Sequence, residues 1–458
     1  RSPMYLGVEA EVLGQNGNGH VETEADGLVV LTRPFEAIDP LDALTAGAGG
    51  ERVFWQSPNG EMLIGLGVAH RVKPRRALRF RAAACLSRAL FQRLQVEGDP
   101  NAPAPVLMGG FAFDERNDGL WRTFGSAQLL LPRITLRQTS GGSWLSVAAT
   151  DRASAERLWQ RAERLLRASQ FSPRPASSPT TPRALPTWQG WRDMVRFAVN
   201  AIRTGRIEKV VLARTLRYPN VAVDPLTALA HLRQRYAGCY LFLFEPAPGH
   251  TFFGATPELL VRVQGSALRT MALAGSVRRG ASPEDDHALA QALLASQKDR
   301  QEHTIVAQSI SRTLSAIATT VRIGREPQVL RLPNIQHLYT PIEATLRPEA
   351  RVWSALARLH PTPAVGGSPA ANALQLMREL ELFARGWYAA PIGIADGSGN
   401  GEFAVAIRSA LVTPAGVTLF AGAGIVADSD PQREWEETAL KFRPLQEACA
   451  LSAEVQVA

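Results

Sequence analysis

The sequence predicts a mixed protein of helices and strands, α/β or α+β in class, with room for one large domain or two ordinary ones. Three observations predict it. The 458 residues can bury a substantial core, with 45% hydrophobic and 20% charged residues. Short apolar runs bounded by Gly, Ser and Pro recur from one end to the other. Long helical patterns interrupt those runs, and no internal repeat appears.

Residues 53–55 and 62–68 read as short strands, and residues 76–96 as a helix. Residues 106–113 form an apolar run broken by Gly109 and Gly110. Residues 134–136 and 144–148, separated by Ser140-Gly141-Gly142-Ser143, read as a hairpin. Ala155, Leu158, Trp159, Ala162, Leu165 and Leu166 then recur at helical spacing. Residues 171–187 are rich in Pro and Ser with little to bury, a linker or surface loop between 1–170 and 188–458.

Charge and cysteine content narrow the function classes. The net charge of +8 comes from scattered arginines, with no basic run interleaved with aromatics, so nucleic acid is not the expected partner. An anionic small molecule suits the same charge. No apolar run is long enough to span a bilayer. Cys85, Cys239 and Cys449 are odd in number and far apart, which points to a reducing cytoplasm. Only Lys73, Lys209, Lys298 and Lys441 are lysines; every other basic side chain of that class is arginine. Arginine cannot become a neutral base in a protein, whereas a desolvated lysine can.

Several segments carry possible chemistry. In the strand pattern of residues 207–214, Lys209, Val211 and Ala213 share one face. A lysine among such neighbours is desolvated, which favours its neutral basic form, unless it snorkels to water from a strand end. Glu258 follows Gly254-Ala255-Thr256-Pro257 at a turn, where it could serve as a general acid or simply cap the loop. Residues 299–317 form a helix whose apolar stripe includes Glu302; such a carboxylate needs a metal or a salt bridge. Glu434, Glu437 and Lys441 lie on one face of a helix ending before Pro444, a hard-cation site or an exposed charged face. Residues 402–410 read as a strand with a small-residue face around Arg408, whose guanidinium can clamp a carboxylate. The next strand runs into Ala421-Gly422-Ala423-Gly424, where a ligand can approach the backbone; the dinucleotide pattern is incomplete there.

Together these segments resemble the chorismate-utilising enzymes over residues 190–450, and Met108-Gly109-Gly110-Phe111-Ala112-Phe113-Asp114 resembles their amino-terminal region. The resemblance implies a single large globule, two antiparallel β-sheets packed as a sandwich and enclosed by helices, as in anthranilate synthase. The segment 171–187 then becomes a surface excursion. Lys209 matches the water-activating lysine of the isochorismate and salicylate branches, and Ala274 stands where aminodeoxychorismate synthases carry a nucleophilic lysine. His360-Pro361-Thr362-Pro363-Ala364-Val365-Gly366-Gly367 matches the isochorismate branch, and Asn334-Ile335-Gln336-His337-Leu338-Tyr339-Thr340 looks like its menaquinone-pathway members.

Matched position by position, the resemblance implies a magnesium-dependent conversion of chorismate to isochorismate, with salicylate synthase or a siderophore-pathway enzyme as alternatives. Lys209 would activate water, and Glu258 would protonate the departing hydroxyl with His337 nearby. Glu302 and Glu437 would hold Mg2+, with Glu434 close by. Lys441 and the backbone at Gly275, Gly422 and Gly424 would bind the ring carboxylate, Arg408 and Tyr388 the enolpyruvyl carboxylate, and Ser276 and Ala364 would also bind substrate. No obligatory amidotransferase partner is expected.

Overall fold

The structure, a computed structural model, describes residues 27–74, 78–174 and 181–453. Its architecture follows from one strand that serves two sheets. Ala127–Thr139 pairs along one edge with Met62–Val72. Its other edge takes Val106–Phe111 first and Gly142–Ala149 afterwards. From Met62–Val72 the first sheet continues through Arg52–Gln56, Tyr240–Ala247, His250–Thr256, Ser409–Thr413 and Gly416–Ile425 to Lys209–Pro219. From Val106–Phe111 the second continues through Pro391–Asp396, Gly401–Val405, Leu259–Gln264 and Ala267–Arg278 to Ile335–Leu346. All these pairings are antiparallel. Strands from before and after residues 171–187 therefore join within both sheets, at the pairs Arg52–Gln56 with Tyr240–Ala247 and Val106–Phe111 with Pro391–Asp396.

Strand alternation builds two cores. In Tyr240–Ala247, Phe242 and Phe244 point into a core shared with Ile392, Phe403 and Val261 of the other sheet. Leu241 and Leu243 point the other way, against Leu226, Leu229 and Leu232 of the helix Pro225–Arg235. The sandwich with a helical cover is thus the result of period two in the strands and of apolar stripes on the helices. Among the described residues no helix is long and apolar enough to cross a membrane.

Four local expectations need correction. The helix read over 76–96 spans Arg79–Arg93 within the described residues, residue 76 lying outside them. Val96 belongs instead to Gln95–Gly98, which pairs in parallel with Val29–Pro34. Of the segment 171–187, residues 175–180 lie outside the described set. Its end is ordered: Arg183–Leu185 pairs with Lys209–Pro219, and the Thr187 side chain caps the helix Trp188–Arg203. The strand read over 402–410 is two strands, Gly401–Val405 and Ser409–Thr413. Between them Arg408 adopts φ +51°, and its carbonyl accepts from the Ala255 backbone N–H at 3.1 Å. This left-handed residue is costly for a side chain with a Cβ, and it turns the guanidinium off the strand's alternation.

The helix at Glu434 does not stop before Pro444 but runs over Pro431–Ala448. Proline has no N–H to offer the carbonyl of residue 440. The side-chain amide of Asn334 donates to the Leu440 carbonyl at 2.7 Å instead. A contact from a distant loop fills the gap that the local sequence leaves.

Candidate active site

A cleft of about 590 Å³ opens between the ends of the two sheets and the helices Gln297–Leu314 and Pro431–Ala448. Glu258, Gly275, Ser276, Glu302, His337, Ala364, Tyr388, Arg408, Gly422, Gly424, Glu437 and Lys441 all line it. Twelve of the fourteen predicted site residues therefore share one cavity wall. Lys209 and Glu434 stand just behind it.

The strand Lys209–Pro219 presents Val211 to the cleft, so Lys209, two residues earlier, projects toward the same side. Its Nζ lies 3.0 Å from Glu302 Oε1 and is fully buried. Two glycines allow this. A Cβ on Gly424 would sit 2.0 Å from Glu302 Oε1, and one on Gly367 would sit 2.3 Å from the Lys209 carbonyl oxygen. The run from His360 to Gly367 thus shapes the cleft directly, since Gly367 pairs with Val210, Ser368 just after it pairs with Lys209, and Ala364 and Val365 form the wall.

The acidic residues pair off with lysines. Lys298 Nζ donates to Glu434 Oε1 at 2.7 Å. Lys441 Nζ donates to Glu437 Oε1 at 2.6 Å and to the Gly422 carbonyl at 2.7 Å. Three of the four lysines in the chain are therefore spent on three glutamates at one site. Burial works against charge on Glu437, but Lys441 and Lys298 outweigh it and hold its carboxyl well below the usual range. Burial, then the charge of Glu437, pushes Glu434 upward. Its Oε2 is buried with no hydrogen-bond partner. Among the described residues no three His, Cys, Asp or Glu side chains already converge as a metal shell. The oxygen-only donor set and the partnerless Oε2 nevertheless suit a hard divalent cation.

Glu258 sits between Thr256 and the strand Leu259–Gln264, its carbonyl accepting from the Val405 N–H at 3.0 Å. Burial pushes its carboxyl up to about 7, against the opposing charges of Lys209, Arg408 and Lys441. It is a carboxylic acid poised near neutrality. His337 is buried and neutral, held well below its ordinary value first by burial and then by Arg408. Arg408 donates to His337 Nε2 at 2.8 Å, so Nδ1 carries the proton, facing the Gly275 carbonyl at 3.3 Å. Both ring nitrogens are engaged, Nε2 by Arg408 and Nδ1 by the Gly275 carbonyl. Tyr388 stacks on Phe420 with ring centres 5.2 Å apart.

Residues 15–450 match the chorismate binding enzyme family. The chain belongs to that family. It is 38% identical over 434 residues, 92% of this chain and 90% of the relative, to the salicylate biosynthesis isochorismate synthase of Pseudomonas aeruginosa. It is 34% identical to the isochorismate synthase MenF of Bacillus subtilis, over 91% of this chain and 92% of that one. The solved structure of MenF, the menaquinone-specific isochorismate synthase of Escherichia coli, superposes with a TM-score of 0.77 at 30% identity, covering 93% and 95% of the two chains. Anthranilate synthase component I of Streptococcus pneumoniae shares the fold, with a TM-score of 0.68 at 21% identity.

In this chorismate-binding enzyme, some wall contacts escaped the sequence reading. Arg385 is fully buried, paired with Glu381, and donates to the carbonyls of Val365 and Val211. Glu381 also accepts from the Ala213 N–H at 2.9 Å. This pair clamps the Ala364–Val365 wall to the strand that carries Lys209. Its i,i+4 spacing was visible, but the carbonyls it reaches were not. On the strand's other face Arg214 lies 3.5 Å over the Trp435 ring and donates to Thr438, fixing the helix that carries Glu434 and Glu437.

Proposed function

We propose that this chain is an isochorismate synthase dependent on magnesium, which adds water at C2 of chorismate and releases the C4 hydroxyl as water while the ring double bonds shift. The observation that carries this reading is the meeting, in one cleft, of a buried acid near neutrality and a lysine-balanced set of carboxylates.

Glu302 and Glu437 would hold the magnesium ion, with Glu434 beside them; the ion would neutralise and orient the ring carboxylate. Lys441, Ser276 and the backbone at Gly275, Gly422 and Gly424 bind the same carboxylate. Arg408, aimed by His337, holds the enolpyruvyl carboxylate with Tyr388. Lys209, which rests as the counter-ion of Glu302, gives up its own proton before it takes one from the water that attacks C2. Glu258 gives its proton to the hydroxyl leaving C4. One proton is gained and one lost, so exchange with solvent resets the site. The acid and the base must hold opposite proton states, which requires separate environments: Glu258 at a strand turn, Lys209 behind the glycines.

The product's destination is read from residues 334–340, whose pattern favours menaquinone synthesis, as does the similarity to the two MenF proteins. Supply of salicylate or a siderophore is the second use, favoured by the similarity to the Pseudomonas aeruginosa protein. The three free, widely spaced cysteines suit the cytoplasm, and no amidotransferase partner is part of this reading.

Incubation of the purified chain with chorismate and Mg2+, with and without a chelator, tests the proposal by chromatography. The expected product is isochorismate, lost on chelation. Salicylate with pyruvate would replace the assignment, and full turnover in chelator would remove the ion.

A further inference from the structure

The proposed mechanism leaves Lys298 without a role. It sits in the first turn of the helix Gln297–Leu314, and its Nζ crosses to Glu434 Oε1, 2.7 Å away in the first turn of the helix Pro431–Ala448. The three lysines of the cluster differ in how well they are walled in. The side chain of Lys209 is 0% exposed, that of Lys441 15% and that of Lys298 25%. Lys441 is also tied to the Gly422 carbonyl, whereas Glu434 is the hydrogen-bond partner found for Lys298. Glu434 itself is 1% exposed and keeps its second oxygen without a partner.

Three lysines balance three glutamates. A divalent ion arriving at Glu302 and Glu437 brings two positive charges to carboxylates that already have a lysine each. The three stems are alike, so relief comes at least cost from the lysine nearest water and with the fewest ties. We infer that Lys298 is a place-holder cation: it neutralises buried Glu434 and swings into solvent when a divalent ion takes up the carboxylates. This inference rests on the magnesium reading above. Its consequence is a weakened and therefore exchangeable ion, because binding must displace an internal competitor.

The test is calorimetric titration of MgCl2 into the full chain, without chorismate, comparing the parent with Lys298→Met and Lys298→Arg. Removal of the competitor is expected to tighten Mg2+ binding at least tenfold in Lys298→Met, with Lys298→Arg close to the parent. Thermal melts supply a second readout. Lys298→Met should melt lower than the parent without the ion, since Glu434 loses its partner, and saturating Mg2+ should restore most of the difference. Equal or weaker binding in Lys298→Met, or a melting deficit that Mg2+ does not repair, would make Lys298 a latch between the two helices and overturn the inference. Absence of Mg2+ binding to the parent would instead remove the metal reading itself.

Discussion

Replacing Glu258 with glutamine is expected to lower kcat/KM at least a thousandfold and, at pH 8, to raise thermal stability. Both effects come from one buried carboxyl. As a general acid it must be protonated, and the fraction of the parent that holds this proton should fall about tenfold per pH unit once the pH passes about 7. The stability effect follows from linkage. The folded value, about 7, lies above the ordinary 4.5. The folded state therefore holds the proton more tightly than the unfolded one, and the stability this contributes is full below about 4.5. It is lost as pH rises through that window to about 7. By pH 8 the loss amounts to about 3 kcal/mol on the shift taken at face value. Glutamine is neutral throughout and escapes the loss. Melting the two proteins at pH 5 and pH 8 checks this: the gap should open only at the higher pH. A variant that turns over near the parent rate, or gains no stability at pH 8, would remove Glu258 from the role of acid.

Lys209→Met is the second large expectation. Turnover should fall at least a thousandfold, because no other amine stands at that position on the cleft-facing side of the strand. Stability should fall as well. Glu302 would keep a largely buried charge with its 3.0 Å partner gone, and breaking a buried pair from one side costs about 3 kcal/mol or more. The two losses separate on adding Lys209→Met to Glu302→Gln, which removes the stranded charge. Stability should then recover while activity does not. Near-parent turnover in Lys209→Met alone would reduce Lys209 to a counter-ion of Glu302.

The parts of the site legible in the sequence were those that local periodicity controls. Lys209 and Val211 share a face because strands alternate, and Glu302 falls on the buried stripe because helices repeat every 3.6 residues. Glu258 was legible as a carboxyl at a turn between apolar runs. What remained hidden depends on contacts across long separations. Lys298 and Glu434 are 136 residues apart, so neither announces the other. Pro444 reads as a helix terminator until Asn334 supplies the donor that proline lacks. Arg408 reads as one position in a continuous strand, whereas its positive φ and its bond to His337 are set by the neighbouring strand and the opposite sheet. The resemblance to chorismate-utilising enzymes linked segments that periodicity alone could not join.

Everything proposed for the cleft requires one molecule of water to enter at one ring carbon while a different oxygen leaves from another. Turnover of unlabelled chorismate in oxygen-18 water, followed by mass spectrometry of the isolated product, measures this directly. The account predicts isochorismate carrying a single heavy oxygen, at the C2 hydroxyl, with unreacted chorismate unlabelled early in the reaction. Isochorismate that retains only the original oxygens would mean that the hydroxyl migrates within the substrate, and would contradict a lysine-activated water.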